Sequence, residues 1–272
     1  MLQSIFTMFG SVAIITSLLY ATKLYFNYTL TTMYETNTTD QINNQNNAFS
    51  IFRISIYFAI AVSAIGTMGG DLVLQSWHGV LGLVFILGAF KLSDAVLLPH
   101  YDDRHAIVVN GNSAVATMMG GYMIATGIIA YSSFVGTGPW WTSFVFFVLG
   151  QVILLGMGKV YQATHTKLVT NIKANQLSSG IMLGGMFIAF AMILNGAIAG
   201  DFESIWKDVQ AVLVSTAIGA GMMFIFVNKV VDKLFITHMS LNEMIETNNV
   251  GATSTIVFIK ILMALSIGYV VI

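Results

Sequence analysis

Eight apolar segments, each about long enough to cross a bilayer, leave this chain few folds to choose from. They run near 4–27, 48–68, 73–98, 112–135, 140–163, 176–200, 205–236 and 249–272. At about 1.5 Å per residue, a helix of roughly 20 residues spans a hydrocarbon core of about 30 Å. Charged residues make up only 8% of the chain, against roughly 25% in an average soluble domain. That is too little charge to clothe a water-facing surface. In lipid every backbone polar group needs an internal partner, which restricts the chain to helices or a closed barrel. The segments are far longer than the roughly 10-residue alternating strands of a barrel. The expectation is therefore an all-α membrane protein with about eight transmembrane helices. The first apolar run has no Lys or Arg before it and no small-residue cleavage site after it, so it is read as a spanning helix rather than a signal peptide.

The connections alternate in length. Gly69-Gly70-Asp71, Gly136-Thr137-Gly138-Pro139 and Gly200-Asp201-Phe202 are short turns, whereas 28–46, 99–111, 164–175 and 237–248 are longer and more polar. Alternation of this kind implies a repeated helical hairpin. Direct comparison supports it. Asn112-Ser-Ala-Val-Ala-Thr-Met-Met-Gly-Gly121 aligns without a gap on Gln176-Leu-Ser-Ser-Gly-Ile-Met-Leu-Gly-Gly185, and Asn46 and Asn249 open similar stretches. A second marker, Lys23, Lys91, Lys159 and Lys229, recurs with nearly the same period. A two-helix unit returns the chain to its starting side, so four units are parallel, unlike the inverted repeats of many transporters. The halves 1–135 and 136–272 then each form one membrane domain of two hairpins. Most Lys and Arg lie on or beside the long connections. The positive-inside rule places those connections in the cytoplasm and both termini outside it.

The recurrent residues admit two readings each. Asn46, Asn112, Gln176 and Asn249 stand where N-caps are needed, and Asn is among the best caps while Gln is poorer. The alternative is a ring of amides around a central site. Ala116 with Gly120, and Gly180 with Gly184, lie four apart on one helical face, widened by Gly121 and Gly185. Such faces let membrane helices approach closely; a pore lined by bare backbone is the alternative. Lys91 with Asp94, and Lys229 with Asp232, form Lys-x-x-Asp pairs near helix ends, where a snorkelling Lys and a weak helical ion pair suffice as explanation. Lys260 differs, because it falls near the middle of the last segment. A charge there costs about 2.5 kcal/mol or more, which makes it a functional candidate by default. The competing reading is a Lys held by hydroxyls and amides inside the bundle.

Several chemistries find no support. The absence of cysteine removes disulfides, thiolate metal sites and a Cys nucleophile. The five His show no metal-ligand spacing, and neither a P-loop, a Rossmann fingerprint nor a Gly-x-Ser-x-Gly elbow occurs. A net charge of −1 gives no field that would attract nucleic acid. No enzyme activity and no cofactor are expected.

The stretch Asn112-Ser-Ala-Val-Ala116 with Gly120-Gly121 resembles the YjfL-like bacterial inner-membrane proteins, a family defined as a domain of unknown function. Gln176-Leu-Ser-Ser-Gly180 and Asn249-Val-Gly-Ala-Thr253 are similar, and the match at Asn46 is weaker. Four units correspond to two tandem copies of the usual domain. The resemblance implies no catalytic residue. It implies an association with envelope-stress systems that contain proteins similar to phage shock protein A. The expected function is a non-enzymatic inner-membrane scaffold or docking protein, with a channel or transporter as the alternative. The expected partners are the lipid bilayer, further copies of the chain, and a cytoplasmic protein similar to phage shock protein A.

Overall fold

The computed structural model describes residues 2–65, 72–136, 138–235 and 240–270, apart from a few side chains. Its elements in chain order are α1 (Leu2–Tyr34), α2 (Thr38–Asn43), α3 (Asn47–Ile65), α4 (Leu72–Val96), α5 (Asp103–Val108), α6 (Ser113–Val135) and α7 (Trp140–Thr164). They continue with α8 (Leu168–Lys173), α9 (Leu177–Ile198), α10 (Ile205–Gly221), a π-helical turn (Met222–Val227), α11 (Asn228–Phe235), α12 (Leu241–Glu246) and α13 (Val250–Val270). Among the described residues eight helices, counting Ile205–Phe235 as one, are long and apolar enough to cross a membrane. This is the all-α, multi-pass architecture that the apolar segments predict. Gly69, Gly70, Asp71 and Thr137 lie outside the described residues.

The long helices form two layers. In the first, α3, α6, α9 and α13 stand side by side in a row, and all four run in the same direction. The glycines report that direction. Gly120 and Gly127 of α6 meet Ser55 and Ala59 of α3, so contacts rise together along both chains. Gly180 and Gly184 of α9 meet Ala114 and Thr117 of α6, and Gly185 and Gly196 meet Val257 and Gly268 of α13. The second layer holds the return helices. α4 lies against α3 and α6, α7 against α6 and α9, and α10 against α9 and α13, while α1 flanks α3 and α4. The two middle helices of the row, α6 and α9, are buried along most of their length. α1 and α10 instead present Phe9, Val12, Tyr20, Leu213, Val214 and Ile218 outward, as lipid-facing helices do.

Three features depart from the segments read in the sequence. The first helix continues to Tyr34, well past residue 27. The long connections each contain a helix of 6 residues, α2, α5, α8 or α12. The seventh span contains the π turn, a local underwinding with no proline to announce it. All four tryptophans, Trp77, Trp140, Trp141 and Trp206, lie in the first turns of α4, α7 and α10 and are exposed. They lie toward the short-turn end of the bundle, and amphipathic rings of this kind favour a membrane interface.

Candidate functional site

The four recurrent amides sit at the start of the four row helices, on the side of the long connections. The Oδ1 of Asn46 accepts from the Phe49 amide at 3.0 Å, that of Asn112 from Val115 at 2.9 Å, and that of Asn249 from Ala252 at 3.1 Å. Each satisfies one of the orphan donors at a helix start. Gln176 makes no such bond, and its Oε1 is buried without a hydrogen-bond partner. Its extra methylene carries the oxygen past the donors that an Asn reaches.

The other end of each amide does something the sequence does not announce. Asn46 Nδ2 donates to the Ile107 and Val108 carbonyls at 3.0 and 3.1 Å, at the end of α5 in the next unit. Asn112 Nδ2 donates to the Ile172 and Lys173 carbonyls at 3.2 and 3.3 Å, at the end of α8. In the third unit Ser178 Oγ takes over and donates to the Ile245 carbonyl of α12 at 3.2 Å. Asn175 and Asn248 add reverse bonds, accepting from the Ala114 and Ser178 amides. The residue before each amide, namely Gln45, Gly111, Asn175 or Asn248, has a positive φ. That left-handed residue turns the chain from the short helix into the long one, and Gly or Asn suits it. Asn46, Asn112 and Ser178 therefore form a ladder along the row, each stapling its helix to the short helix of the following unit. They do not close into a ring. Among the described residues the side chain of Asn249, in the fourth unit, makes the cap bond alone.

The candidate packing residues lie inside the row. Ala116 is fully buried. A Cβ on Gly184 would stand 2.6 Å from the Thr117 carbonyl oxygen. One on Gly121 would meet the Gly184 backbone, one on Gly180 the Ala114 backbone, and one on Gly185 the Val257 side chain, while Gly120 packs on Ser55. Neighbouring backbone and side chains fill the space that these glycines leave.

Lys91, near the end of α4, and Lys229, in the first turn of α11, are both exposed. The side chains of their sequence partners, Asp94 and Asp232, lie outside the described residues. Lys159 does more, donating to the Leu97 carbonyl at the end of α4 at 3.3 Å, with Gln162 beside it at 3.5 Å.

Lys260 is completely buried, on the same face of α13 as Thr253, Val257 and Ala264. Its position in the repeat explains that burial. Eleven residues after the amide, the middle units carry Met123 and Phe187, both completely buried. Lys260 occupies the same inward-facing position in the last unit. Other polar groups pair between helices within the bilayer. Gln151 of α7 accepts from Tyr122 at 2.8 Å and Thr126 at 3.4 Å, Ser11 donates to Gln75 at 2.9 Å, and Ser132 donates to Asn195 at 2.7 Å. The sequence marks Gln151 and Asn195 as isolated polar residues but not their partners.

Two cavities open at opposite ends of the bundle. One, about 140 Å³, is lined by Ser132, Thr142, Asp201 and Asp208 at the short-turn end. The other, about 150 Å³, is lined by His165, Lys167, Asn242 and Glu246, where Lys167 pairs with Glu246 at 2.7 Å. Among the described residues no group of three or more His, Cys, Asp or Glu is placed to hold a metal ion.

The two halves of the chain each find a counterpart in a known family. The profile of the Domain of Unknown Function DUF350 matches residues 1–134 and again 134–271. The chain belongs to this family. It carries two tandem copies of the domain, joined where α6 meets α9 in the middle of the row. It is also similar to a UPF0719 transmembrane protein of Aquifex aeolicus (strain VF5), 25% identical over 227 residues, which covers 77% of this chain and 80% of that protein. No solved structure matches.

Proposed function

We propose that this DUF350 pair is a non-enzymatic scaffold of the bacterial inner membrane whose layer of short helices faces the cytoplasm and docks a protein partner. The observation that carries the reading is the stapled layer. Four short helices on one side are tied unit to unit by Asn46, Asn112 and Ser178, which gives a stiff platform rather than four loose loops. Preorganised surfaces lose less entropy on binding. The platform also exposes isolated apolar side chains, Ile42 and Val109. The concentration of Lys and Arg near these connections supports the cytoplasmic orientation. The resemblance to YjfL-like proteins supports a role in an envelope-stress system, with a partner similar to phage shock protein A. Self-association of the chain in the membrane is part of the proposal.

The test places a photo-crosslinking residue at Val109, on the platform, and separately at Phe258, on a lipid-facing surface, in native membranes. A discrete protein adduct at Val109 and none at Phe258 is the expected result. Lipid adducts alone at both positions sink the scaffold reading.

A second reading, a channel or transporter, is favoured by one observation, the complete burial of Lys260 at mid-span. Flux of ions from liposomes carrying the protein, compared with Lys260→Met, tests it. A leak altered by the substitution supports a conducting path through Lys260. Tight liposomes with inserted, folded protein remove this reading.

A further inference from the structure

The row of parallel helices has two ends, at α3 and α13, and the residues there differ from those in the middle in a regular way. The eighth residue after each amide faces the preceding unit, and the ninth faces the following one. In the middle units both are glycine, Gly120-Gly121 and Gly184-Gly185. Gly120 meets Ser55 and Gly184 meets Thr117 on the preceding helix; Gly121 meets Gly184 and Gly185 meets Val257 on the following helix. A middle unit has neighbours on both sides and keeps both positions bare.

The end units keep only one position adapted to a neighbour. In the first unit the pair is Ile54-Ser55. Ser55 faces inward against Gly120, and Ile54 points out of the row, 66% exposed. In the last unit the pair is Val257-Phe258. Val257 faces inward against Gly185, and Phe258 points out, 61% exposed. The thirteenth residue repeats the pattern. It is Ala59, Ala125 and Ala189 in the first three units, where a following helix packs, and Leu262 in the last, where none does.

We propose that Ile54 at one end, and Phe258 with Leu262 at the other, terminate the row. Every interior contact between these positions has a glycine on at least one side, Gly120 against Ser55, Gly121 against Gly184 and Gly185 against Val257, whereas a second copy arriving end to end would set Phe258 against Ile54 with none to allow the close approach. Branched and aromatic side chains hold a second helix off and offer acyl chains an apolar surface instead. They serve a repeat protein as capping units do, stopping an interface that would otherwise propagate without closure. The two row ends are therefore lipid-facing surfaces, and self-association of copies uses another face.

The chain has no cysteine, so the test can use single introduced thiols. Gly268 meets Gly196 within the row. Ile65 of one copy and Tyr269 of another hold the matching repeat positions at the two ends. Copies carrying Ile65→Cys and copies carrying Tyr269→Cys are co-expressed and oxidised in native membranes, with Ile65→Cys plus Val152→Cys as the background pair. With all three large residues present, heterodimer at the background level is expected. With Ile54→Gly, Phe258→Gly and Leu262→Ala in both copies, a rise of roughly tenfold is expected, the factor given by about 1.4 kcal/mol. Ile54→Ala, Phe258→Ala and Leu262→Ala form a milder second set. Efficient crosslinking with the native residues present overturns the proposal. So does background-level crosslinking in both sets when thermal melts show them folded. Failure of both sets to fold also overturns it, because residues that the isolated fold requires are not terminators.

Discussion

A single methyl group tests whether the row is held by backbone approach. In Gly184→Ala the new Cβ would stand 2.6 Å from the Thr117 carbonyl oxygen and 3.2 Å from the Met118 Cα, against an ordinary contact of at least 3.4 Å. Both obstacles are backbone, so no side chain can rotate away, and α6 and α9 must part by several tenths of an ångström. A gap of about 0.5–1 Å forfeits a quarter to a half of each dispersion contact along the seam. Overpacking of this kind costs about 1–3 kcal/mol, and because α6 and α9 join the two halves, the upper part of that range is expected. Gly156→Ala is the matched control. Gly156 is also helical, and a Cβ there meets nothing within 4 Å. It should gain about 0.5–1 kcal/mol from reduced chain entropy. At roughly 2–4 °C per kcal/mol, the two variants should melt on opposite sides of the native protein, separated by roughly 6–12 °C. The assay is thermal unfolding in a mild detergent, followed by circular dichroism. A Gly184→Ala protein as stable as Gly156→Ala would refute the close approach of these helices and the argument built on it.

Two further outcomes follow from the staples and the buried polar pairs. Asn112→Ala removes a cap bond and two bonds to α8 and should cost about 2–3 kcal/mol, whereas Asn249→Ala removes the cap bond alone and should cost about 1 kcal/mol; equal losses in the same thermal assay would contradict a ladder between units. Gln151→Leu leaves the buried Tyr122 hydroxyl without its 2.8 Å acceptor and should cost about 1–3 kcal/mol, and adding Tyr122→Phe should restore most of it; a double-mutant cycle with no coupling would show the bond to be idle.

The spans and the repeat were legible because lipid admits few backbones, and because two markers, the amides and the lysines, recur with one period. What escaped was local. The first helix runs on to Tyr34 through a polar stretch whose Thr29 and Thr32 hydroxyls donate to the Tyr25 and Tyr28 carbonyls at 2.9 and 2.8 Å. The short helices carried a readable signal in two capping boxes, Asn37 with Asp40 and Ser240 with Glu243. A search for spans of membrane length passes over helices of 6 residues. The π turn has no such signal. Of the candidate site, the capping role of the amides was visible in their residue type, but their second bond was not, because its acceptors lie about 60 residues away.

That second bond also answers an electrostatic difficulty of the architecture. Four parallel helices packed side by side align their dipoles, bringing four partially positive N-termini to one end of the row. Return helices of opposite direction offset this along the span but not at the row's own ends. There the short helices contribute. The terminal carbonyls of α5, α8 and α12 at Ile107, Ile172 and Ile245 are delivered to the N-termini of α3, α6 and α9, the last two also accepting from the Asn175 and Asn248 amides of the turns that follow. The partial negative charge of one unit's short helix thus lies against the partial positive charge of the preceding unit's long helix, with an Asn or Ser side chain bonding the two. The arrangement has a direction, because each N-terminus is completed by the unit that follows it. Among the described helices of the row α13 alone has no such neighbour, and there Asn249 is exposed, with a cap bond to Ala252. The same polarity that stitches the platform together therefore stops with the last unit, at the end of the row where Phe258 and Leu262 also stop the packing.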